Sequence, residues 1–340
     1  MEYIKKKLEE LLTIGSPTGY TGEVSEYLVK ELCALGYSPT LTRKGGALCN
    51  LGGLDGQDAL CLLAHTDTLG GMVSEVKENG RLRITPLGGL MPQNTEGENC
   101  TVHTREGRQI TGCLQLENAS VHVNKDYRTI VRSFENMEVL LDEQASSKKE
   151  TCALGVETGD IVCFDPRLVI TPSGYIKSRF LDDKLSVAIL LGFARYLKEE
   201  NITPRRRLFL HITVFEEVGH GACASVPEGV TELLSVDMGC VGTGLACTEK
   251  QVSICVKDSA GPYHYDMTKK LVSLARERGI SYAADVYPSY GSDADAALKA
   301  GYDVRHGLIG AGVYASHGYE RSHVEGVKNT FDLICAYALS

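Results

Sequence analysis

The run "ALCLLAH", Ala59 to His65, places six apolar residues in succession before a histidine. A strand with one wet face alternates apolar and polar residues, so a run without alternation suits a strand covered on both sides. That situation arises in sheets with helices on each face, and it restricts the chain to an α/β architecture. "RRLFLHITVF" (206–215), "TELLSVDMG" (231–239) and "VRHGLIGAG" (304–312) extend the same pattern.

Helical periodicity surrounds these strands. Ile4, Leu8, Leu11 and Leu12 share one face, as do Val24, Leu28, Leu32 and Leu35, with Gly36 closing the second helix. "DKLSVAILLGFARYLKEE", "YDMTKKLVSLARERG", "GSDADAALKAG" and "VKNTFDLICAYAL" read as later helices, and "TLTRKGG" and "NLGG" as short strands. Between about residue 70 and residue 171 the texture changes to brief β-like pieces broken by Gly, Asn and Pro, as in "GRLRITPLGGL", "NCTVHTREGRQITGCLQL" and "GDIVCFDP". Val121 to Glu135 is too polar for a regular element and reads as a loop. The chain therefore divides into a discontinuous α/β domain over 1–70 and 172–340, with a mostly parallel sheet, and an inserted β-rich domain over 71–171.

Composition excludes several functions. A net charge of -9, with no long basic run and only a triplet in "TPRRRLFLH" leading into a strand, argues against a nucleic-acid partner. The N-terminus mixes Lys and Glu with apolar residues and lacks the apolar core of a signal peptide or membrane anchor, so a cytoplasmic protein is expected. Twelve cysteines without a CxxC pair read as reduced thiols rather than a disulfide framework or a cysteine zinc site.

Open α/β sheets bind ligands beyond the carboxyl ends of their strands. The strand-like runs here end in His65 and Asp67, in Glu216 and Glu217, and in Asp237, while Asp182 and Asp183 open a helix. Each has an ordinary explanation: a loop histidine, a helix cap, a solvated strand end or a turn opener. At one sheet edge, however, uncompensated carboxylates repel, and a cation relieves them. Mixed His and carboxylate ligands suit zinc, cobalt or manganese better than calcium or magnesium. Charge counting favours two ions over one.

Residues i and i+2 of a strand point the same way, so Asp67 is expected behind His65 as the partner of its second ring nitrogen. Glu216 and Glu217 would face opposite sides unless the chain bends, and a bend aided by Gly219 lets one bind metal while the other moves a proton.

In order, "HTD", "LDDK", "EEVG", "VDMG", "GSDA" and "SHGYE" resemble the motifs of the TET-type glutamyl or deblocking aminopeptidases, dinuclear zinc or cobalt metallopeptidases. The resemblance covers nearly the whole chain. It implies a zinc-aminopeptidase-like α/β domain with an inserted small β-barrel or PDZ-like domain that serves dimerisation or higher assembly. It implies Asp182 as the carboxylate bridging two ions, His65 and Asp237 completing one site, and Glu217 and a C-terminal histidine completing the other. His317 takes that last position in preference to His323. Glu216 becomes the general base acting with a two-metal-activated hydroxide, Asp67 the partner of His65, and Ser292 and Asp293 part of the substrate pocket. Zinc or cobalt is expected ahead of manganese, with peptides bearing a free N-terminus as substrates and a homo-oligomer, dimer to dodecamer, as the assembly. "DDK" stands where the family more often has Asp-Asp-Arg, and "EEVGHGA" is one residue short of the family's loop. His220, inside that loop, reads as a loop residue.

An N-acyl amino acid deacylase or a carboxypeptidase on the same metal site is the alternative. A catalytically silent scaffold is a third reading, and no proposed ligand is missing from the chain to favour it.

Overall fold

The computed structural model describes residues 1–340, which separate into two compact units, Met1–Asp67 with Arg167–Ser340, and Thr68–Pro166. The first unit opens with α1 (Glu2–Thr13) and α2 (Gly22–Ala34), each burying its apolar stripe. The short β1 (Thr40–Leu41) and β2 (Ala47–Gly52) follow, then the long β3 (Asp55–His65), whose last seven residues are all buried.

The second unit is a closed barrel of β4 (Gly70–Val76), β5 (Leu82–Leu87), β6 (Asn99–His103), β7 (Gln109–Leu116), β8 (Met137–Leu141) and β9 (Ile161–Phe164). Its strand order is β4-β5-β8-β7-β6-β9, and every pairing is antiparallel. Closure leaves no open sheet edge. Val73, Leu82, Val102, Leu114, Val139 and Val162 are fully buried and fill the interior. A short helix, α3 (Lys148–Ala153), precedes β9. The stretch from Val121 to Glu135 has no regular element, and Arg132 is anchored there to Glu96 at 2.8 Å.

The first unit resumes with β10 (Val169–Ile170) and β11 (Tyr175–Ser178), then α4 (Leu181–Glu199). α4 is buried almost all round from Leu181 to Ala194, which marks it as a central helix. Lys184 binds it to the first helix by donating to the carbonyls of Leu11, at 2.9 Å, and Ile14, at 2.6 Å. β12 (Arg206–Thr213), β13 (Val230–Val236), β14 (Gly239–Val241), β15 (Val252–Lys257), α5 (Tyr265–Glu277), β16 (Tyr282–Val286), α6 (Asp293–Lys299), β17 (Arg305–Tyr314), β18 (Glu320–His323) and α7 (Val324–Ala338) complete the unit.

Its twelve-stranded sheet runs β1-β2-β12-β3-β13-β17-β18-β11-β10, with β14, β15 and β16 attached through β17. The centre, β12-β3-β13-β17, is parallel, as the unbroken apolar runs require. The antiparallel pairs lie toward the edges, where β1, β2, β10 and β11 carry short or alternating sequences that lack the signature of double burial. The register aligns Thr213 with His65, so the parallel strands end together and deliver their following residues to one place.

Ser292 caps α6 in a reciprocal box with Asp295, whose carboxylate also accepts from Tyr263 at 3.2 Å. Burial would raise the Asp295 carboxyl, but hydrogen bonds with His306 and Asp258 outweigh it and hold the group down to about 2. The folded value lies below the ordinary one, so its stabilising contribution is complete above pH ~4 and lost as the pH falls toward 2. Asp295→Asn is expected to flatten this acid limb of stability in urea titrations run from pH 5 to pH 2. In the core, Leu62 is fully buried and Leu54 is 77% exposed. Leu62→Ala is expected to cost about 2–5 kcal/mol in urea unfolding, and Leu54→Ala less than ~0.5.

Candidate functional site

The residues following the parallel strands converge beyond their carboxyl ends. His65 closes β3, Asp237 follows β13, and Glu216 to Val218 form a single 3-10 turn three residues past β12. Asp182 stands in the first turn of α4 with non-helical backbone angles, joined to Asp183 by a cis peptide. His317 sits in the turn between β17 and β18.

Two overlapping groups of donor atoms result. His65, Asp182 and Asp237 present ligand atoms within 4.8 Å of one another, and so do Asp182, Glu217 and His317. Asp182 belongs to both groups, one oxygen to each. Its Oδ1 lies 3.1 Å from His65 Nε2 and its Oδ2 lies 3.6 Å from His317 Nε2, which is also 3.6 Å from Glu217 Oε2. Glu216 belongs to neither, but its Oε2 approaches His65 Nε2 to 3.7 Å. His323 lies elsewhere. It caps α7 through the Glu325 amide, and its Nε2 is 2.9 Å from the Ser173 carbonyl.

Asp67 lies beyond the end of β3, so the same-face relation of strand residues does not govern it. The near partner of His65 Nδ1 is the carbonyl of Asp67, at 2.9 Å, with the carboxylate at 3.5 Å. The Asp67 carboxylate instead accepts the amides of Glu216 (3.1 Å) and Glu217 (3.4 Å) and the Thr18 hydroxyl (2.7 Å). Asp67 thus fixes the imidazole and the glutamate turn together. Ser292 and Asp293 line the cavity, with their polar atoms already engaged: Ser292 with Tyr263 and Asp295, Asp293 with Thr213 and the Ala222 amide.

Three residues without an assigned role complete the arrangement. Glu320, 2% exposed, accepts the amide of Asp182 through Oε2 and that of His317 through Oε1, each at 3.1 Å. Asp183 accepts the amide of His65 at 3.1 Å. Tyr290 lines the cavity and hydrogen-bonds the Met238 carbonyl at 3.2 Å. Glu320 closes the "SHGYE" motif, and its spacing from His317 was the available signal. Gly310 is required opposite Asp237, because a Cβ there would fall 1.4 Å from the Asp237 carbonyl oxygen.

The cavity holds about 270 Å³ and is lined by Asp182, Glu216, Glu217, Asp237, Asp293 and Asp295, against one lysine, Lys299, and one histidine, His317. Burial, and after it the Asp182 charge, push the Glu217 carboxyl well above the usual range and raise Asp237 to about 7. Burial also raises Glu216, with Asp237 and Asp293 adding to it against the pull of His65. Burial alone would lower His65, yet Glu216, Asp182 and Asp67 outweigh it and hold its imidazole well above 6.5. Glu217 Oε1 is buried with no hydrogen-bond partner. An orphaned carboxylate oxygen, crowded acids and two imidazoles are the donor set of a divalent transition-metal site, and the residues present fit such ions.

The sheet and this cluster are those of an aminopeptidase-class hydrolase. The chain belongs to the M42 glutamyl aminopeptidase family, whose sequence pattern matches residues 45–333. It is 45% identical over 343 residues to the putative aminopeptidase YhfE of Bacillus subtilis, covering 100% of this chain and 99% of that one. It is 26% identical over 218 residues to the glutamyl aminopeptidase of Lactococcus lactis, covering 63% and 59%. In fold it resembles the Pyrococcus horikoshii TET1 peptidase, with a TM-score of 0.88 at 22% identity over 99% of each chain.

A bound cation lowers the carboxyl groups that burial has raised, so binding releases protons and strengthens as pH rises. The affinity for Zn2+ in competition titrations is expected to increase from pH 5 to 8. Asp182→Asn, which touches both donor groups, is expected to weaken binding about 100-fold or more. A pH-independent affinity would contradict this account.

Proposed function

We propose that the chain is a metal-dependent aminopeptidase that removes N-terminal residues from peptides with a free amine. Two divalent ions, zinc or cobalt before manganese, would be held by His65, Asp182 and Asp237, and by Asp182, Glu217 and His317. The observation that carries this reading is the division of labour around Asp182: one carboxylate shared between two donor groups, and a neighbouring glutamate outside both.

When bound, such ions polarise the scissile carbonyl and acidify a water. The chain's own groups do the rest. Glu216 takes the proton of the attacking water and delivers it to the leaving amine, a transfer suited to a carboxyl whose burial raises its proton affinity. Asp67 sets the His65 tautomer by engaging Nδ1, which leaves Nε2 directed at the ligand cluster. Through the two amides it accepts, Asp67 also holds Glu216 and Glu217 at the bend that gives them different roles. The acidic cavity favours an α-ammonium over a substrate carboxylate, which supports the aminopeptidase reading over a carboxypeptidase.

No helix is long and apolar enough to cross a membrane, consistent with the cytoplasmic placement we propose. The structural neighbour TET1 assembles into a tetrahedron or a large octahedral shell, which supports a homo-oligomer here, with the barrel as an assembly element.

Glu216→Gln is expected to retain bound metal near the wild-type amount and to lose about 10²–10⁴-fold in kcat on an aminoacyl substrate. Turnover at the wild-type rate would remove Glu216 from the role of base. In a panel of free-amine, N-acylated and C-terminally amidated peptides, hydrolysis is expected to require the free amine, and cleavage confined to N-acylated members would assign a deacylase instead.

A further inference from the structure

The loop from Phe215 to Ala222 carries Glu216 and Glu217, and it is gripped at its far end by two residues that the steps above do not use. Asp293 is 3% exposed. Its Oδ1 accepts the Ala222 amide at 2.8 Å, and its Oδ2 accepts the Thr213 hydroxyl. Thr213 ends β12, just before the loop, and Ala222 closes it, so one carboxylate fastens both ends. Gly221 presses directly against this carboxylate, since a Cβ there would lie 1.7 Å from Asp293 Oδ1.

Lys44 grips the same stretch by donating to the Gly221 carbonyl at 2.5 Å and to the His220 carbonyl. Within the loop, Phe215 and Gly219 adopt left-handed backbone angles, and the His220 amide returns to the Phe215 carbonyl at 2.8 Å. The start of the loop is fixed by Asp67, through the Glu216 and Glu217 amides. A carboxylate that recognised a substrate ammonium would aim an oxygen into the cavity free of other donors. Both oxygens of Asp293 are engaged by the loop and its anchoring strand.

We infer that Asp293 and Lys44 form a clasp that positions Glu216, and that the "GSDA" motif acts on catalysis through this loop rather than by touching substrate. The inference rests on Glu216 as the base. Misplacing a reacting group by about 1 Å costs on the order of 10²-fold in rate, so a clasp on this loop governs kcat.

The test uses the full-length, metal-loaded enzyme and four variants: Asp293→Ala, Asp293→Asn, Lys44→Met and Glu216→Gln. The readouts are kcat, KM, bound metal, the Kd of free leucine as a product probe, and hydrogen exchange over residues 215–222. Asp293→Ala is expected to lower kcat about 30–100-fold and Lys44→Met about 5–10-fold, with KM, bound metal and leucine affinity within ~2-fold of wild type. Asparagine keeps an acceptor for Ala222 and a donor for the Thr213 oxygen, so Asp293→Asn is expected to recover to within ~5-fold. Exchange over 215–222 should quicken in both clasp variants. A substrate-contact role gives the opposite pattern, with KM and leucine Kd rising ~10-fold or more and Asp293→Asn as impaired as Asp293→Ala, and that result overturns the clasp. Unaltered exchange over the loop overturns it too. Should Asp293→Ala fail to fold, the half-buried Lys44 carries the decision, because unchanged kcat and exchange in Lys44→Met refute the clasp. Failure of the base assignment is read separately, as wild-type turnover by Glu216→Gln.

Discussion

Carboxylates withdrawn from water repel one another, and the rest of the site is arranged around that repulsion. Asp182, Glu217 and Asp237 are buried within reach of one another's charge, and Glu216 stands beside them. Substituting well-packed apolar residues for buried charges is commonly neutral or stabilising, so folding alone gives no reason to keep these acids. A resident cation does, because it inverts the local electrostatics and turns the crowding into binding energy. The parallel strands carry the cost through their cores, where Leu60, Leu62, Leu208, Leu210 and Leu234 are almost wholly buried.

A second set of carboxylates acts on the backbone of the first. Asp67 accepts the amides of Glu216 and Glu217, Asp183 accepts that of His65, and Glu320 accepts those of Asp182 and His317. Chain that leaves a strand or begins a helix has lost its ladder partners, and a buried amide there needs an acceptor. Using carboxylates as those acceptors fixes each donor residue at its root. It also strengthens the negative field into which a cation would be drawn.

The sequence made the strand-borne part of this site legible, because double burial leaves an unbroken apolar run whose end marks the ligand-bearing edge. His65 and Asp237 were proposed on that ground, and the structure brings their side chains together. The separate duties proposed for Glu216 and Glu217 require the chain to bend between them, and a 3-10 turn over Glu216–Val218 supplies a bend there. Asp183 left no such mark, since it binds a backbone amide that any residue type can offer, and Glu320 was signalled only by its spacing from His317. The choice between His317 and His323 could not come from composition either. The turn geometry supports His317, with Ala315 and His317 at positive φ and His317 among the clustered donors, while His323 is spent on capping α7. The strands β10, β11 and β18 were invisible because, at two to four residues with mixed polar and apolar side chains, they are too short to impose a period.

Backbone strain is distributed according to the same division. His65 ends β3 and Asp237 follows β13, and neither is at positive φ. The residues delivered by turns are flanked by left-handed non-glycine positions: Phe180 (φ 65°) before Asp182, Phe215 (φ 69°) before Glu216, and His317 itself (φ 60°). Each such residue costs on the order of 1–3 kcal/mol and persists only where its surroundings over-determine it. The surroundings here are the same carboxylates: Glu320 holds the turns of Asp182 and His317, and Asp67 holds the turn of Glu216. The short loop from Phe215 to Ala222 belongs to this scheme. Having few residues in which to relax, it can transmit the grip of its anchors to the glutamate at its head, which a longer loop would dissipate.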